Sequence, residues 1–409
     1  MKVLLSAYAC HPVRGSEPGV GWGWLEELGK SNELWVLFYS GQGQAEAVQK
    51  AVDQLPYRRN IHLLPIGVPR ILRDRFYRLR YEFWQYRAYE AAKHLVKEVQ
   101  IDFVHHVTIA AWWNCGHLWK LKVPFIFGPI SGIQKVPKAA YPFLRWRDRV
   151  YELTRVFLIN LAWKLWSRPR RAMERARLVL TANYETAERV KGIRKSDPVI
   201  TLSEVGVHSV GEKNAEGGKL RATDSLKLLW SGQLIPRKNF GLLMEALSRL
   251  PDEIRWHLRV AGEGNLLEYW KTKSVEHGLR EHLTFLGQVA YSQMSEQYRW
   301  ADVFAFPSLR EATGTVILEA MSYGLPVIAL KLHGARVVLD DSCGILVPVV
   351  SKEQMVKDFR DAIIKLYYDP ELRRKLGEAG RKRVEESHLW EKKAQRMSEI
   401  YRQVLTQGN

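Results

Sequence analysis

The stretch that decides the fold is residues 301–330, ADVFAFPSLREATGTVILEAMSYGLPVIAL. It opens with a short apolar run at 303–306 that Pro307 interrupts, and this pattern predicts a buried strand. A helix is predicted to begin near Thr315, where glycine and threonine suit a turn and a cap. The apolar run at 326–330 then predicts a second strand. The stretch is therefore predicted to form one strand–loop–helix–strand unit.

The start of this helix is a candidate phosphate site. The free backbone N–H groups of Gly314, Thr315 and Val316 would lie at the positive end of the helix dipole, which favours an anion. Two carboxylates, Glu311 in the loop and Glu319 about one turn inside the helix, flank the position and could both face one bound ligand. The alternative is that Glu319 is a solvated helix residue and Glu311 a helix cap.

The motif around these carboxylates resembles that of a known enzyme family. F-P-S-x-x-E ends at Glu311, Gly314 follows, and E-A-M-x-x-G-x-P-V begins at Glu319. This pattern resembles the E-x7-E signature of retaining glycosyltransferases with the GT-B fold, the group 1 (family four) class. The resemblance covers nearly the whole chain and is most specific from 226 to 348. It implies that Glu311 meets the donor sugar hydroxyls and that Glu319 holds the nucleotide ribose.

Strand and helix patterns alternate in both halves of the chain, which predicts an α/β fold with two doubly wound parallel sheets. The resemblance implies that these are the two Rossmann-like domains of a GT-B fold, facing a central cleft. The predicted boundaries are an acceptor-binding domain at 1–208, a linker at 209–224, a nucleotide-sugar-binding domain at 225–388 and a C-terminal helix at 389–409 that crosses back to the first domain.

Length and composition agree with this organisation. A chain of 409 residues exceeds the usual size of a single core, and 46% hydrophobic residues can fill two. The sequence contains no run of 18 apolar residues and no signal-peptide pattern at its start, so we expect a cytoplasmic protein. Cys10, Cys115 and Cys343 are too few and too scattered to indicate disulfides or a zinc site.

The chain carries a formal net charge of +18, which implies an anionic partner: a nucleotide sugar, an anionic membrane or a nucleic acid. Residues 135–177 hold 12 Lys and Arg against three acids, a local net of +9, with Trp146, Trp163 and Trp166 among them. This composition is typical of a helix lying in a membrane interface. We therefore expect peripheral contact with the inner face of the cell membrane; the alternative is a helix whose apolar side is domain core.

A glycine-rich segment, CHPVRGSEPGVGWGW at 10–24, follows the first predicted strand. It is predicted to be a loop in which residues such as Gly19 let the backbone approach a ligand. It lacks the G-x-G-x-x-G pattern, which disfavours a nicotinamide cofactor, and no cofactor is expected. The segment resembles the family's first loop, which faces the donor phosphates. The alternative is a plain tight turn.

The strand at 101–108 ends in two histidines. The family pattern here is D-x-x-H-x-H, whose second histidine lies beside the transferred sugar. Asp102 and His105 match this pattern, but Val107 occupies the position of the second histidine. His106 is therefore a candidate catalytic residue by substitution from the neighbouring position. The alternative is a satisfied structural histidine, and the choice between His105 and His106 stays open.

The second half opens with a strand, a glycine turn and two cations. The family pattern G-R-L-x-x-x-K, whose cations clamp the donor diphosphate, is matched by Gly232 and Lys238. Gln233 stands where arginine is usual, and Arg237 is the candidate for the missing charge. All four residues are expected to line the donor site.

A further turn, Gly287, Gln288 and Val289, resembles the nucleobase-recognising turn of the family. The chain contains no D-x-D motif that would hold a metal with the donor. Cationic side chains must then neutralise the diphosphate, so metal-independent catalysis is expected.

These features predict an enzyme that transfers a sugar from a nucleoside diphosphate sugar to an acceptor hydroxyl with retention. The acceptor is expected to be a saccharide or lipid-linked saccharide of envelope or exopolysaccharide synthesis. One alternative is a GT-B epimerase or phosphorylase, of which the phosphorylase would need a pyridoxal lysine. The other is a basic protein that binds nucleic acid, and the positive net charge is the only sequence feature that favours it. No nucleic acid is expected as a partner.

Overall fold

The computed structural model describes residues 1–72, 77–194, 198–212 and 225–406. The chain divides into two compact units. The first unit comprises Met1–Ile133, Ala162–His208 and the chain from Trp390 on, and the second comprises Gln134–Leu161 and Ser209–Leu389. Most of the predicted linker, 213–224, lies outside the described residues.

The first half of the chain alternates strands and helices. Its elements are β1 (Lys2–Ser6), α1 (Glu17–Gly29), β2 (Glu33–Tyr39), α2 (Gln44–Asp53), β3 (Ile61–Ile66), α3 (Tyr77–Glu98), β4 (Phe103–His106), β5 (Phe125–Ile130), α4 (Trp146–Leu165), α5 (Ser167–Arg175), β6 (Leu178–Thr181), α6 (Tyr184–Arg194) and β7 (Val199–Thr201). The sequence patterns did not predict β3.

The alternation continues in the second half. Its elements are β8 (Leu226–Ser231), α7 (Phe240–Leu247), β9 (Trp256–Ala261), α8 (Leu267–Glu276), β10 (Leu283–Gly287), α9 (Met294–Trp300), β11 (Val303–Phe306), α10 (Thr315–Ser322), β12 (Val327–Leu330), α11 (Ala335–Val338), β13 (Gly344–Val347), α12 (Lys352–Tyr368), α13 (Pro370–Ser387) and α14 (Trp390–Thr406). No helix in the described part of the chain is both long and apolar enough to cross a membrane.

Each unit contains one parallel sheet. The first has seven strands in the order β3-β2-β1-β4-β5-β6-β7, and the second has six in the order β10-β9-β8-β11-β12-β13. In both, the order reverses next to the first strand, between β1 and β4 and between β8 and β11. Ligands of doubly wound sheets bind at the carboxyl ends of the strands at such points. The predicted α/β fold with two doubly wound parallel sheets is confirmed.

The 301–330 unit forms as predicted. All four residues of β11 and of β12 are buried, as expected for strands covered on both faces. Gly314 precedes α10 with φ +87°, a left-handed conformation that favours glycine. Gly324, at φ +72°, follows the helix and turns the chain into β12.

The glycine-rich segment after β1 differs from its prediction. α1 begins at Glu17, so Gly19 lies in the first helical turn and not in a loop. An acid and Pro18 open the helix, and both residue types favour a helix N-terminus. A Cβ atom on Gly19 would lie 2.8 Å from the carbonyl oxygen of Arg14, so this glycine permits a close backbone approach.

The predicted first domain, 1–208, is interrupted. Residues 134–161 belong to the second unit, because the buried side chains of Val136, Ala140 and Leu144 lie in its hydrophobic core. α4 begins in this segment. The sequence prediction failed here because an apolar face shows that a helix is buried, but not on which core it packs.

α14 belongs to the first unit. The Trp390 N–H donates to the carbonyl oxygen of Val207 (2.9 Å), and the Tyr401 hydroxyl lies 2.6 Å from Nδ1 of His105. A Cβ atom on Gly23 of α1 would lie 2.3 Å from the Trp390 ring. α1 and α14 therefore pack closely because glycine stands at their contact.

Candidate functional site

The carboxyl ends of β8 and β11 lie side by side, because the two strands pair in parallel at the point where the sheet order reverses. Gly232 turns the chain after β8 with φ +148°. The Leu309 N–H after β11 donates to the carbonyl oxygen of Arg237 (2.9 Å), which joins the two loops. The sheet topology thus brings the loop after β8, which carries Arg237 and Lys238, close to the loop after β11, which carries Glu311.

Both predicted phosphate-binding cations contact Glu311. Its Oε1 lies 2.6 Å from Nη1 of Arg237 and 2.7 Å from Nζ of Lys238. The Ser308 hydroxyl donates to the same oxygen (2.9 Å), and Arg237 also donates to the carbonyl oxygen of Arg310 (3.1 Å). The arrangement holds two cations in fixed positions before any ligand arrives.

The two predicted carboxylates have pKa values shifted in opposite directions. Burial alone would raise the pKa of Glu311, but the charges of Lys238 and Arg237 and the hydrogen bonds from Lys238 and Ser308 lower it. Burial raises the pKa of Glu319, and the hydrogen bond from Tyr298 offsets this only in part. Glu311 therefore stays ionised to low pH, whereas Glu319 gains a proton more easily than an ordinary glutamate.

Tyr298 is a site residue that the sequence analysis missed. Its hydroxyl donates to Oε2 of Glu319 (2.6 Å), and its ring stacks on Tyr323 with centroids 5.4 Å apart. Glu319 is thus half-buried, and this hydrogen bond fixes the position of its carboxylate. The alternative interpretation of Glu319, a solvated helix residue, is wrong. An aromatic residue on a short helix gives no sequence signal for such a contact, because it also fits a core position.

The N-terminus of α10 has no side-chain cap. Gly314 occupies the cap position and provides none, so the interpretation of Glu311 as a cap is wrong. Thr315 and Val316 are half-buried in the first turn. The hydroxyl of the preceding Thr313 is buried and has no hydrogen-bond partner among the described residues. These groups leave donors near Glu311 that an anion could use.

The predicted nucleobase turn lies at the end of β10. Gly287 has φ +67°, and the Gln288 N–H donates to Oε1 of Glu263 (3.3 Å). Glu263 follows β9, the neighbouring strand, and the sequence analysis did not predict it. Gln288 is exposed and Val289 is half-buried.

In the loop after β8, the side chain of Gln233 is exposed. It has no ion-pair role, and the positive charges are those of Arg237 and Lys238.

The candidate catalytic histidine lies in the first unit and is 1% exposed. Nε2 of His106 lies 3.0 Å from the carbonyl oxygen of Thr108, so this nitrogen carries the proton. Burial lowers the pKa of His106 to about 4. Both ring nitrogens of the neighbouring His105 are occupied, by Gly128 and Tyr401, which favours a structural role for it.

Glu17 anchors the start of α1 at the end of β4. Its Oε2 accepts a hydrogen bond from the N–H of Ile109 (3.1 Å), and Ile109 has φ +53°. Gly19 lies in the first turn of α1, two residues after Glu17. Gly19 and His106 belong to the first unit, and the other predicted donor residues belong to the second.

The described residues contain no group of three or more His, Cys, Asp and Glu side chains arranged to hold a metal ion. The side chains of Cys10, Cys115 and Cys343 are buried free thiols.

Comparisons with known proteins support the same family. Residues 212–383 match the model of the family Glycosyl transferases group 1. A phosphatidyl-myo-inositol mannosyltransferase of Mycobacterium leprae is 32% identical over 179 residues, which cover 42% of this chain and 45% of that protein. The chain spans about half the length of the curated relatives it matches.

Solved structures match over the whole chain. Sucrose-phosphate synthase of Thermosynechococcus elongatus superposes with a TM-score of 0.69 at 18% identity, over 99% of both chains. HepE of Anabaena, solved in complex with UDP, superposes with a TM-score of 0.63 at 14% identity, over 98% of this chain and 99% of that one. Residues 212–383 of this chain thus match the group 1 glycosyltransferases, and the chain has the fold of the GT-B glycosyltransferases.

Proposed function

We propose that the protein transfers a sugar from a nucleoside diphosphate sugar to an acceptor hydroxyl, with retention at the anomeric carbon. The observation that carries the proposal is the convergence of Arg237 and Lys238 on Glu311, next to the uncapped N-terminus of α10. The HepE structures with UDP and with UDP-glucose support a donor of this class.

The arrangement suits the charge that develops during transfer. Breaking the glycosidic bond leaves negative charge on the departing diphosphate, and fixed cations stabilise that charge without reorganising. Lys238, Arg237 and the amides at 314–316 would supply this stabilisation without a metal. Glu311 would accept hydrogen bonds from the sugar hydroxyls, and Glu319 from the ribose.

The first unit is proposed to bind the acceptor, a saccharide or a lipid-linked saccharide. His106 is still proposed to lie beside the transferred sugar, although its side chain is buried. Gly19 would let the start of α1 approach the donor phosphates. Gln288 and Val289, after Gly287, are proposed to meet the nucleobase.

The proposal is tested by a thermal-shift screen of UDP-, GDP- and ADP-sugars. A ligand at 100 times its dissociation constant adds about 2.7 kcal/mol to the stability of the folded protein. We expect one nucleotide class to stabilise, and the same sugar nucleotide to be consumed when acceptor extract and excess EDTA are present. Transfer that stops in EDTA would refute metal independence.

The role of Glu311 is tested by substitution. Glu311→Ala should lower turnover at least 100-fold while nucleotide still shifts the melting temperature, and Glu319→Ala should chiefly abolish the shift. Glu268→Ala, at an exposed carboxylate of α8, is the control. Wild-type turnover in both site variants would overturn the assignment of this site.

A further inference from the structure

α4 carries a continuous apolar surface that faces solvent. We call the side chains of Trp146, Val150, Leu153, Phe157 and Leu161 the α4 stripe. They recur every three or four residues and therefore lie on one face of the helix. Each is between 41% and 69% exposed. Large apolar side chains grouped in this way mark an interaction surface.

The opposite face of α4 packs on the protein. Glu152 and Ile159 are buried there, and Arg155 donates to the carbonyl oxygen of Gln134 (2.5 Å). α4 is therefore held in place by its inner face. The α4 stripe is not the exposed side of a loosely attached helix.

The charges around the α4 stripe are positive. Arg147, Arg149 and Lys164 are exposed along the same helix. The two acids of α4 do not offset them, because Asp148 pairs with Arg145 (2.8 Å) and Glu152 is buried. An apolar stripe that is bordered by cations and contains the aromatic side chains of Trp146 and Phe157 fits the surface of an anionic lipid bilayer.

A second copy of the chain fits less well. Helix pairing through such a stripe needs acids opposite the flanking cations, and two copies of α4 would place arginines against arginines. A lipid surface supplies negative charge along the whole length of the helix. α4 has 20 residues, and at 1.5 Å per residue it could lie about 30 Å along that surface.

We propose that the α4 stripe inserts into the interface of an anionic membrane and docks the protein there. This refines the expectation from the basic segment 135–177. Trp163 packs on Trp112 with centroids 4.8 Å apart, and Arg168 pairs with Glu82 (3.1 Å), so neither is available to lipid. Docking would bring the enzyme to a lipid-linked acceptor; that consequence rests on the proposed function, and the docking itself does not.

The test is co-sedimentation of the full chain with phosphatidylglycerol vesicles and with phosphatidylcholine vesicles, without sugar nucleotide. We expect binding to phosphatidylglycerol alone, weakening as salt rises. Val150→Ser/Leu153→Ser/Phe157→Ser should lower the partition coefficient at least tenfold. Val275→Ser/Val350→Ser/Tyr368→Ser, at exposed apolar positions away from α4, is the matched control and should bind as wild type.

The charge contribution is tested separately. Arg147→Glu/Arg149→Glu should lower partitioning more than Lys357→Glu/Lys382→Glu, which changes the net charge equally on α12 and α13. Unchanged lipid binding in the α4 stripe variant would overturn the proposal. So would a wild-type dimer that this variant converts to monomer while lipid binding persists, because the stripe would then serve a second copy. Neither result depends on sugar transfer.

Discussion

Arg310 donates from Nη1 to Oε2 of Glu152 across 2.6 Å, and this ion pair joins α4 to the loop that carries Glu311. Glu152 is 3% exposed and also accepts from Arg155 (2.7 Å) and from the N–H of Val136 (3.0 Å). Burial alone would raise the pKa of Glu152, but these hydrogen bonds and the charge of Arg310 lower it. The helix proposed to meet lipid therefore also supports the candidate donor site.

The first prediction concerns this ion pair. Arg310→Ala removes a charged hydrogen bond from a buried carboxylate, which costs about 2 kcal/mol, or about 5 °C in melting temperature. It should also weaken nucleotide binding, because Arg237 is held by the carbonyl oxygen of Arg310. Melting curves with and without nucleotide measure both effects.

Arg374→Ala is the control for this experiment, since Arg374 forms exposed ion pairs with Glu371 and Glu378. It should change neither quantity appreciably. An Arg310→Ala variant with wild-type stability and nucleotide affinity would show that the ion pair stabilises neither the fold nor the nucleotide site.

The second prediction ranks the two cations. The side chain of Lys238 is 12% exposed and that of Arg237 is 32% exposed, so Lys238 acts in a drier environment. Lys238→Ala should weaken binding of the nucleoside diphosphate at least tenfold, and Arg237→Ala should weaken it less. Titration calorimetry with UDP, or with the nucleotide found in the screen, gives both affinities, and Lys271→Ala on the surface of α8 is the control. The reverse order would mean that Arg237 has replaced the arginine absent at Gln233.

The third prediction is a pH dependence of nucleotide binding. Burial raises the pKa of Glu319 above its usual value of 4.5. If the ionised form binds the ribose, affinity falls as the pH is lowered through this raised pKa. The hydrogen bond from Tyr298 lowers that pKa, so Tyr298→Phe should raise it further and move the fall in affinity to higher pH.

Glu319→Gln should bind weakly at every pH in that range, because it has no proton to gain. Profiles of wild type and Tyr298→Phe that coincide would remove Tyr298 as a residue that positions Glu319. A merely structural role of Tyr298 would lower affinity without shifting the profile.

The fourth prediction concerns a buried lysine on α14. Lys393 is 1% exposed, donates to the carbonyl oxygen of Ser203 and lies 5.3 Å from the centroid of the Trp24 ring. Burial lowers its pKa from 10.5 to about 7. Between these two pH values the unfolded chain binds the proton and the folded chain releases it, so stability rises with pH, by at most about 1.4 kcal/mol per unit.

Lys393→Met keeps the length of the side chain and removes this titration. The melting temperature of the variant should therefore rise less between pH 7 and pH 10 than that of wild type. Lys392→Met, at the exposed neighbouring position, should keep the wild-type slope. Equal slopes in all three proteins would show that Lys393 does not release its proton on folding.

Much of the site could be predicted because its signals are local. The apolar runs of β11 and β12, the glycines around α10 and the spacing of Glu311 and Glu319 all lie within thirty residues, 301–330. The contact of Arg237 and Lys238 with Glu311 also follows, once the sheet order places β8 beside β11. Glu263 and Tyr298 could not be predicted, because each supports the site from another element and leaves no pattern around itself.

The sequence by itself determined the alternation of strands and helices, the two parallel sheets and the strand–loop–helix–strand unit, because hydrophobic periodicity and glycine conformation act between near neighbours. Only the tertiary structure decided that 134–161 packs on the second unit. Likewise, only the tertiary structure paired Glu152 with Arg310, 158 residues away. Such contacts depend on which buried surfaces fit together and which buried charges find partners, and no local pattern records either choice.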